Sequence, residues 1–164
     1  GLGLRYLTGA TLSPMACFLV LRGLKTLKVR MRQHSENGLA VAQMLDAHPA
    51  VRIVRYPFLE SYPRNAIARK QMAGGSGMMS FELHAGYDGA MAMMDRLKLI
   101  ARAVSLGDVE SLIMHPGGLL QARRKVYPEA KLGTGVTMDL MRLSIGLEDA
   151  EDLIDDLKQA LDGG

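Results

Sequence analysis

The sequence has a single cysteine, Cys17, and no apolar run long enough to cross a bilayer. One cysteine excludes an internal disulfide framework and suits a reducing compartment. Because Cys17 falls within the apolar, helix-like run 16–21, we predict that it is a small core residue and not a nucleophile. No signal-peptide pattern opens the chain, so the expected location is the cytoplasm, away from membranes.

The sequence also lacks clustered metal ligands. Its four histidines are His34, His48, His84 and His115. They are scattered and show no metal-ligand spacing, so we expect surface or loop histidines and no metal site.

The charge is unevenly distributed, although the net charge is only +3. Residues 1–72 carry eleven Lys and Arg against three Asp and Glu, whereas residues 73–164 carry nine against fourteen. The basic residues between 22 and 32 alternate with Leu and Val at helical spacing and have no aromatic residue among them. This pattern favours a solvated helix face, and we predict no nucleic-acid partner.

The 164 residues, 48% of them hydrophobic, are enough for one domain with a substantial core. Periodicity and punctuation by Gly and Pro predict alternating helices and strands. The predicted helices are 14–23, 26–47, 63–72, 88–97 and 149–161, and the predicted strands are 51–56, 77–84, 99–104 and 140–145. The glycine-rich segment 74–77 precedes a strand and not a helix, so it is interpreted as a loop and not a phosphate site. The predicted fold is of the α/β class (an α+β-type small domain): a sheet of about four strands with helices on one face, preceded by a long helical arm.

Two segments, 103–112 and 140–149, each run from a buried strand or strand end into a polar turn that contains glycine. Ser105 and Arg142 lie near these two strand ends. A guanidinium group can hold both oxygens of a carboxylate, so the pair suits carboxylate binding. The residues alone leave equally open that Arg142 pairs with an acidic residue and that Ser105 caps a turn.

Further motifs occur in a fixed order: Leu-Thr-Gly-Ala-Thr-Leu-Ser-Pro at 7–14, Leu-Arg-Gly-Leu-Lys-Thr-Leu-Lys-Val-Arg-Met at 21–31, His-Pro at 115–116 and Gly-Leu-Glu-Asp at 146–149. With the two segments above, they resemble the pyridoxal-phosphate enzymes of cysteine and methionine metabolism. That family includes methionine gamma-lyase, cystathionine gamma-lyase, cystathionine gamma-synthase and the homoserine-ester sulfhydrylases. The resemblance implies the C-terminal domain of a fold-type I pyridoxal-phosphate enzyme. It also implies that residues 1–48 form a helical arm from the large domain and that residues 49–164 form the C-terminal α/β domain.

In that family the cofactor lysine lies in a Ser-x-x-Lys segment upstream of the Arg-Gly-Leu-Lys stretch. None of the seven lysines of this chain has that context. The resemblance therefore implies that pyridoxal 5'-phosphate is bound mainly by an upstream part, that no catalytic residue lies in this chain, and that the chain alone is inactive. The intact enzymes of the family are expected to be homotetramers, dimers of dimers with shared active sites.

By resemblance, Arg142 and Ser105 bind the α-carboxylate of the substrate. The residue before that serine is usually acidic in cystathionine-processing relatives and small and apolar in methionine gamma-lyase-like enzymes. Val104 therefore implies gamma-elimination of methionine or a related sulfur amino acid, which gives a 2-oxo acid, ammonia and a thiol. The alternatives are cystathionine gamma-synthase, gamma-lyase or sulfhydrylase activity, or a non-catalytic domain that acts only in association with a partner.

Two positions depart from the family pattern. Arg5 and Tyr6 stand where methionine gamma-lyases usually have Lys-Asp, a pair adjacent to the active site. Residues 117–121 read Gly-Gly-Leu-Leu-Gln where the family has Ala-Ser-Met-Thr-His. Both changes bear on substrate preference.

Overall fold

The computed structural model describes residues 3, 8–9, 11–131, 133 and 135–163. The positions of Arg5 and Tyr6 lie outside the described residues. The helices bounded within these ranges are α1 (Pro14–Leu24), α2 (Leu27–Ala47), α3 (Asn65–Gln71), α4 (Gly86–Arg96), α5 (Pro116–Arg124) and α6 (Ala150–Asp162). The strands are β1 (Val51–Arg55), β2 (Met78–Leu83), β3 (Ala101–Arg102), β4 (Leu112–Met114) and β5 (Leu140–Ser144).

Local side chains set where several helices begin. Ser13 Oγ accepts the amide of Ala16 at 3.2 Å, and Pro14 occupies the first turn of α1. Asp149 caps α6 in the same way, because its carboxylate accepts the amide of Glu151 at 2.9 Å. These starts agree with the predicted ones to within one residue.

The sheet has five strands in the order β1-β2-β5-β4-β3, so the prediction of about four strands was one strand short. β3 and β4 pair in parallel, and the other neighbours are antiparallel. The strand missed was β4, whose three residues are too few to show an alternating pattern. The predicted strand 99–104 is reduced to the two residues of β3.

No helix was predicted between β4 and β5, but residues 116–124 form α5. Pro116 fits the first helical position, and the His115 ring accepts the amide of Gly118 at 3.0 Å. The two adjacent glycines made a helix hard to recognise from propensity. The cap and the proline offset that cost.

Helices α2, α4 and α6 pack on one face of the sheet. The core between them contains Leu45, Phe81, Met93, Met141, Leu143 and Leu153, all of them fully buried. The second half of α2 contributes to this core, and the division of the chain at residue 48 stays a prediction. The opposite face carries polar residues at alternating positions, because successive strand side chains point to opposite faces.

Helix α1 contains no buried residue. Cys17 is exposed, so the prediction of a core cysteine was wrong. The apolar run that suggested burial is itself largely exposed at Phe18, Leu19 and Leu21. Among the described residues, no helix is both long and apolar enough to cross a membrane.

Candidate functional site

Arg142 lies on β5, on the sheet face opposite the packed helices, with Ser80 of β2 and Met114 of β4 as its cross-strand neighbours. Its Nη2 donates to the carbonyl oxygens of Val104 at 2.7 Å and Ser105 at 2.9 Å. Its Nε is buried and has no hydrogen-bond partner within the described part of the chain. The structure therefore brings together Arg142, Val104 and Ser105, which the sequence had linked only by motif.

Ser105 and Val104 follow β3 and are exposed. Among the described residues the Ser105 hydroxyl has no hydrogen bond, so it does not cap a turn there. Its hydroxyl is available to a ligand next to Arg142.

The carboxylates on this face of the sheet are already paired with other arginines. Glu82 is 1% exposed and forms ion pairs with Arg52 and with Arg55, the latter at 2.8 Å. Asp139 pairs with Arg52. Arg142 has no ion pair among the residues that the structure describes. The sequence left open whether Arg142 pairs with an acidic residue of this chain. These contacts show no such pair among the described residues.

The loop that carries Ser105 is attached to β5 and to the turn after it by groups that the sequence did not single out. Ser144 Oγ accepts the amide of Gly107 at 2.9 Å. Ser111 donates its hydroxyl to Glu148 at 2.9 Å and accepts the amide of Gly146 at 2.8 Å. Both serines are 1% exposed and so stay attached to these partners. The signal in the sequence was that segments 103–112 and 140–149 each run into a polar turn that contains glycine, and in the structure Gly107 of the first turn has a φ of +75°.

A cofactor site would need a pocket lysine or free backbone amides. All seven lysines are exposed. The glycine-rich segment is closed by packing, since a Cβ at Gly75 would lie 2.4 Å from the Tyr56 hydroxyl oxygen, and the Ser76 amide already donates to Ser35 Oγ at 3.2 Å. Among the described residues, neither the lysines nor the glycine-rich segment therefore forms a pocket for a phosphate group. The described residues also contain no cluster of metal-ligand side chains.

Two of the histidines differ from the surface or loop positions expected for them. His34 is buried, and its Nδ1 lies 2.7 Å from the carbonyl oxygen of Ile145. His115 is buried at the start of α5, and burial lowers its pKa, with Arg102 adding to this effect and Asp139 opposing it. Their chain neighbours gave no sign of burial.

We expect His115 to make the free energy of unfolding fall as pH drops below about 6.5. Its folded-state pKa is lowered, so the unfolded chain takes up the proton first. The contribution of His115 to the free energy of unfolding is complete above the pKa of the unfolded chain. It is lost as the pH falls towards the pKa of the folded state. Urea denaturation at about pH 7.5 and about pH 5.5 measures the change in the free energy of unfolding between these two pH values. This change should be smaller in His115→Asn, which retains a capping side chain, than in the original chain. An unchanged pH dependence in that variant would contradict the prediction.

The fold, an α/β domain with a five-stranded mixed sheet and helices α2, α4 and α6 packed on one face, is that of a part of a fold-type I pyridoxal-phosphate enzyme. The family model for Cys/Met metabolism PLP-dependent enzymes matches residues 3–162, and the chain belongs to this family. The resemblance drawn from the sequence motifs is thereby confirmed.

Individual relatives agree with this assignment. The chain is 44% identical over 160 residues to an L-methionine gamma-lyase of Porphyromonas gingivalis, covering 98% of this chain and 40% of that protein. It is 46% identical over 154 residues to a cystathionine gamma-lyase of Dictyostelium discoideum, covering 94% of this chain and 39% of the relative. A crystal structure described as an O-acetylhomoserine (thiol)-lyase of Campylobacter jejuni superposes with a TM-score of 0.79 at 39% identity, covering 94% of this chain and 34% of the other. That structure carries a pyridoxyl-lysine adduct. The chain thus spans about 40% of the length of the curated relatives it matches.

Proposed function

We propose that this chain is the substrate-carboxylate-binding part of a pyridoxal-phosphate-dependent carbon–sulfur lyase. The reaction proposed is gamma-elimination of methionine or a related sulfur amino acid to a 2-oxo acid, ammonia and a thiol. The observation that carries the proposal is Arg142, an arginine without a carboxylate partner among the described residues, beside the free hydroxyl of Ser105.

A substrate carboxylate would take the place of the two carbonyl oxygens now bound to Arg142. A guanidinium group offers two parallel N–H donors to a carboxylate, and charge-assisted bonds of this kind are about twice as strong as neutral ones. The unpartnered Nε supports this, because a buried donor without an acceptor is costly until a ligand provides one. The Ser105 hydroxyl would donate to the same carboxylate and fix its rotation, and this would orient the reacting Cα–H bond. The cofactor itself is proposed to bind mainly outside the described residues.

Val104 supports a substrate with an uncharged side chain. Val104 is 64% exposed, and its carbonyl oxygen lies 2.7 Å from Arg142 Nη2, so a substrate held by Arg142 would lie close to this residue. An apolar residue suits a thiomethyl group, whereas the second ammonium and carboxylate of cystathionine would need polar partners. The name of the Porphyromonas gingivalis relative points to the same chemistry.

We predict that Val104→Glu lowers kcat/KM for methionine by about tenfold, because it places a charge beside an apolar group. The ratio of kcat/KM for cystathionine to that for methionine should rise, and Val104→Ile should leave this ratio nearly unchanged. Steady-state release of 2-oxo acid from each substrate measures both. An unchanged ratio in Val104→Glu would place Val104 outside the substrate site.

A second candidate is cystathionine cleavage or synthesis, or sulfhydrylation of a homoserine ester. It is favoured by the identity to the Dictyostelium cystathionine gamma-lyase and by the likeness to the Campylobacter structure. The longest protein that the gene encodes should be assayed with pyridoxal phosphate and methionine, cystathionine, or O-acetylhomoserine plus sulfide. Release of 2-oxobutanoate and methanethiol from methionine as the fastest reaction would support the first proposal. Faster turnover of either other substrate would replace it.

A third candidate is a non-catalytic domain that acts through association. The exposed apolar side chains of α1, among them Phe18 and Leu19, favour an interface there. For the intact enzyme we propose a homotetramer built as a dimer of dimers. Light scattering coupled to size-exclusion chromatography would test the stoichiometry, and a 2-oxo acid assay of this chain alone would test whether it is inactive.

A further inference from the structure

The loop between β3 and β4 runs beside the end of β5, and hydrogen bonds join the two segments along its length. In the first half of the loop, the carbonyl oxygens of Val104 and Ser105 hold Arg142. In the second half, the carbonyl oxygen of Val109 accepts the amide of Leu147 at 2.8 Å. Because the two halves belong to one short loop, the position of the second half affects where the Ser105 hydroxyl and the Arg142 guanidinium meet a ligand.

Glu148 binds the second half of this loop through both oxygens of its carboxylate. Oε1 accepts the backbone amide of Ser111 at 2.6 Å, and Oε2 accepts the hydroxyl of the same residue at 2.9 Å. Hydrogen bonds to an ionised carboxylate are about twice as strong as those between neutral groups. The Ser111 hydroxyl oxygen also accepts the amide of Gly146 at 2.8 Å, and Ser111 is 1% exposed, so water competes little for these groups. Glu148 therefore fixes Ser111 in one position.

Glu148 is itself held by α2. The side-chain amide of Asn37, a buried residue, donates to the carbonyl oxygens of Glu148 at 2.7 Å and Gly146 at 3.3 Å. A Cβ at Gly146 would collide with the Val109 carbonyl oxygen and the Glu148 carboxylate, so glycine is needed where the turn approaches the loop. No cationic side chain pairs with Glu148 in the part of the chain that the structure describes, so its carboxylate is committed to Ser111.

We propose that Glu148 is a positioning residue for the substrate carboxylate. By fixing Ser111, it holds the loop so that the Ser105 hydroxyl stays beside the Arg142 guanidinium in the arrangement that accepts a carboxylate. Glu148 acts through Ser111 and not on the ligand itself, so its effect falls on carboxylate recognition and not on the reacting groups. This proposal rests on the function proposed for Arg142.

The test compares methionine with methioninamide, which lacks the carboxylate but keeps the amino group and the side chain. It uses the longest protein that the gene encodes, with pyridoxal phosphate. Glu148→Ala should lower the ratio of kcat/KM for methionine to that for methioninamide by about tenfold, mostly through a higher KM for methionine. A merely destabilised enzyme would lose the same active fraction for both substrates, and this ratio would not change. Glu148→Gln keeps an oxygen for the Ser111 amide and should restore the ratio to within about threefold of the original.

Two control variants separate this proposal from the proposed function. Arg142→Ala should lower the same ratio by more than Glu148→Ala does, and an unchanged ratio in Arg142→Ala would overturn both the carboxylate site and the role of Glu148. Glu110→Ala removes an exposed carboxylate of the same loop that has no ion pair within the described ranges, and it should leave the ratio unchanged. A ratio lowered in Arg142→Ala but not in Glu148→Ala, or lowered equally in Glu148→Ala and Glu110→Ala, would overturn the role of Glu148 alone.

A second measurement on the same protein needs no substrate. Hydrogen exchange followed by mass spectrometry should show exchange at least about threefold faster in peptides spanning 104–111 in Glu148→Ala than in Glu110→Ala, because the loop loses its attachment. Ser111→Ala removes only the hydroxyl, should give a smaller increase of the same kind, and replaces Glu148→Ala if circular dichroism shows that variant unfolded. Equal exchange in the loop of Glu110→Ala and of the folded variant would overturn the proposal, whether or not methionine is turned over.

Discussion

Replacing Arg142 by alanine is expected to lower kcat/KM for methionine by about 10²–10³-fold, since it removes two charge-assisted hydrogen bonds worth about 1.5–3 kcal/mol each. Most of the loss should be in KM, and misorientation of the substrate should lower kcat as well. The absorbance of bound pyridoxal phosphate should not change, because Arg142 is proposed to bind the substrate and not the cofactor. Steady-state kinetics and a cofactor spectrum on the longest protein that the gene encodes test both expectations.

Two control variants make the Arg142 result specific. Arg142→Lys keeps the positive charge but not the paired donors, so it should recover only part of the loss. Arg55→Ala removes an arginine from the same sheet as β5, but one whose guanidinium is already bound to Glu82 at 2.8 Å. Its effect on kcat/KM should be at least about tenfold smaller than that of Arg142→Ala. Equal effects of Arg55→Ala and Arg142→Ala would mean that the Arg142 effect is structural.

Replacing Asp156 by alanine is expected to lower the free energy of unfolding by about 3–5 kcal/mol. This carboxylate is 6% exposed and accepts three consecutive amides, those of Lys98 at 2.8 Å, Leu99 at 2.9 Å and Ile100 at 2.9 Å. Alanine would leave these donors without an acceptor in the turn that leads from α4 into β3. Urea denaturation followed by circular dichroism measures the change.

The Asp156 contribution should also depend on pH. Burial raises the pKa of Asp156, but the hydrogen bonds from Ile100, Lys98 and Leu99 outweigh that effect and hold the pKa below its usual range. The stabilisation is therefore present above the unfolded pKa of about 3.9 and is lost as pH falls through the folded value. Asp155→Ala, an exposed neighbour on the same helix, should change stability by less than about 0.5 kcal/mol. Similar losses in both variants would show that the helix, and not the three amides, is responsible.

Much of the fold follows from local patterns in the sequence. The alternation in 77–84 and the apolar run in 140–145 predict the paired central strands β2 and β5. Ser13 and Pro14 predict the start of α1, and the last predicted helix, 149–161, begins one residue before α6. These elements have enough residues for periodicity to be visible, or a cap whose chemistry is specific.

The elements that the sequence did not predict depend on tertiary contacts. β4 has three residues and exists because it pairs with β5 on one side and β3 on the other. The burial of His115 depends on the packing of α5 against the rest of the domain, which no local pattern reports. Cys17 shows the converse error, because an apolar helix was taken to be a buried one.

The candidate site was predicted from motifs, and the structure adds the reason that its residues meet. Arg142 and Ser105 are 37 residues apart, and only the pairing of β5 with β4, and of β4 with β3, brings the two segments together. Ser144, Ser111 and Glu148, which hold the loop in place, are ordinary polar residues in the sequence. Their role becomes visible only when their partners are known.

On the proposed function, the two carbonyl oxygens that hold the Arg142 side chain would make ligand binding an exchange of hydrogen-bond partners. An arriving carboxylate competes with the peptide oxygens of Val104 and Ser105 for the same guanidinium nitrogen. A weak acceptor such as an amide or an ester would gain nothing over the peptide oxygens it displaces, whereas an anion gains the charge-assisted part of the bond. On the proposed function, the loop would therefore favour anionic ligands over neutral ones, and each binding event would release the backbone of Val104 and Ser105 next to the substrate side chain.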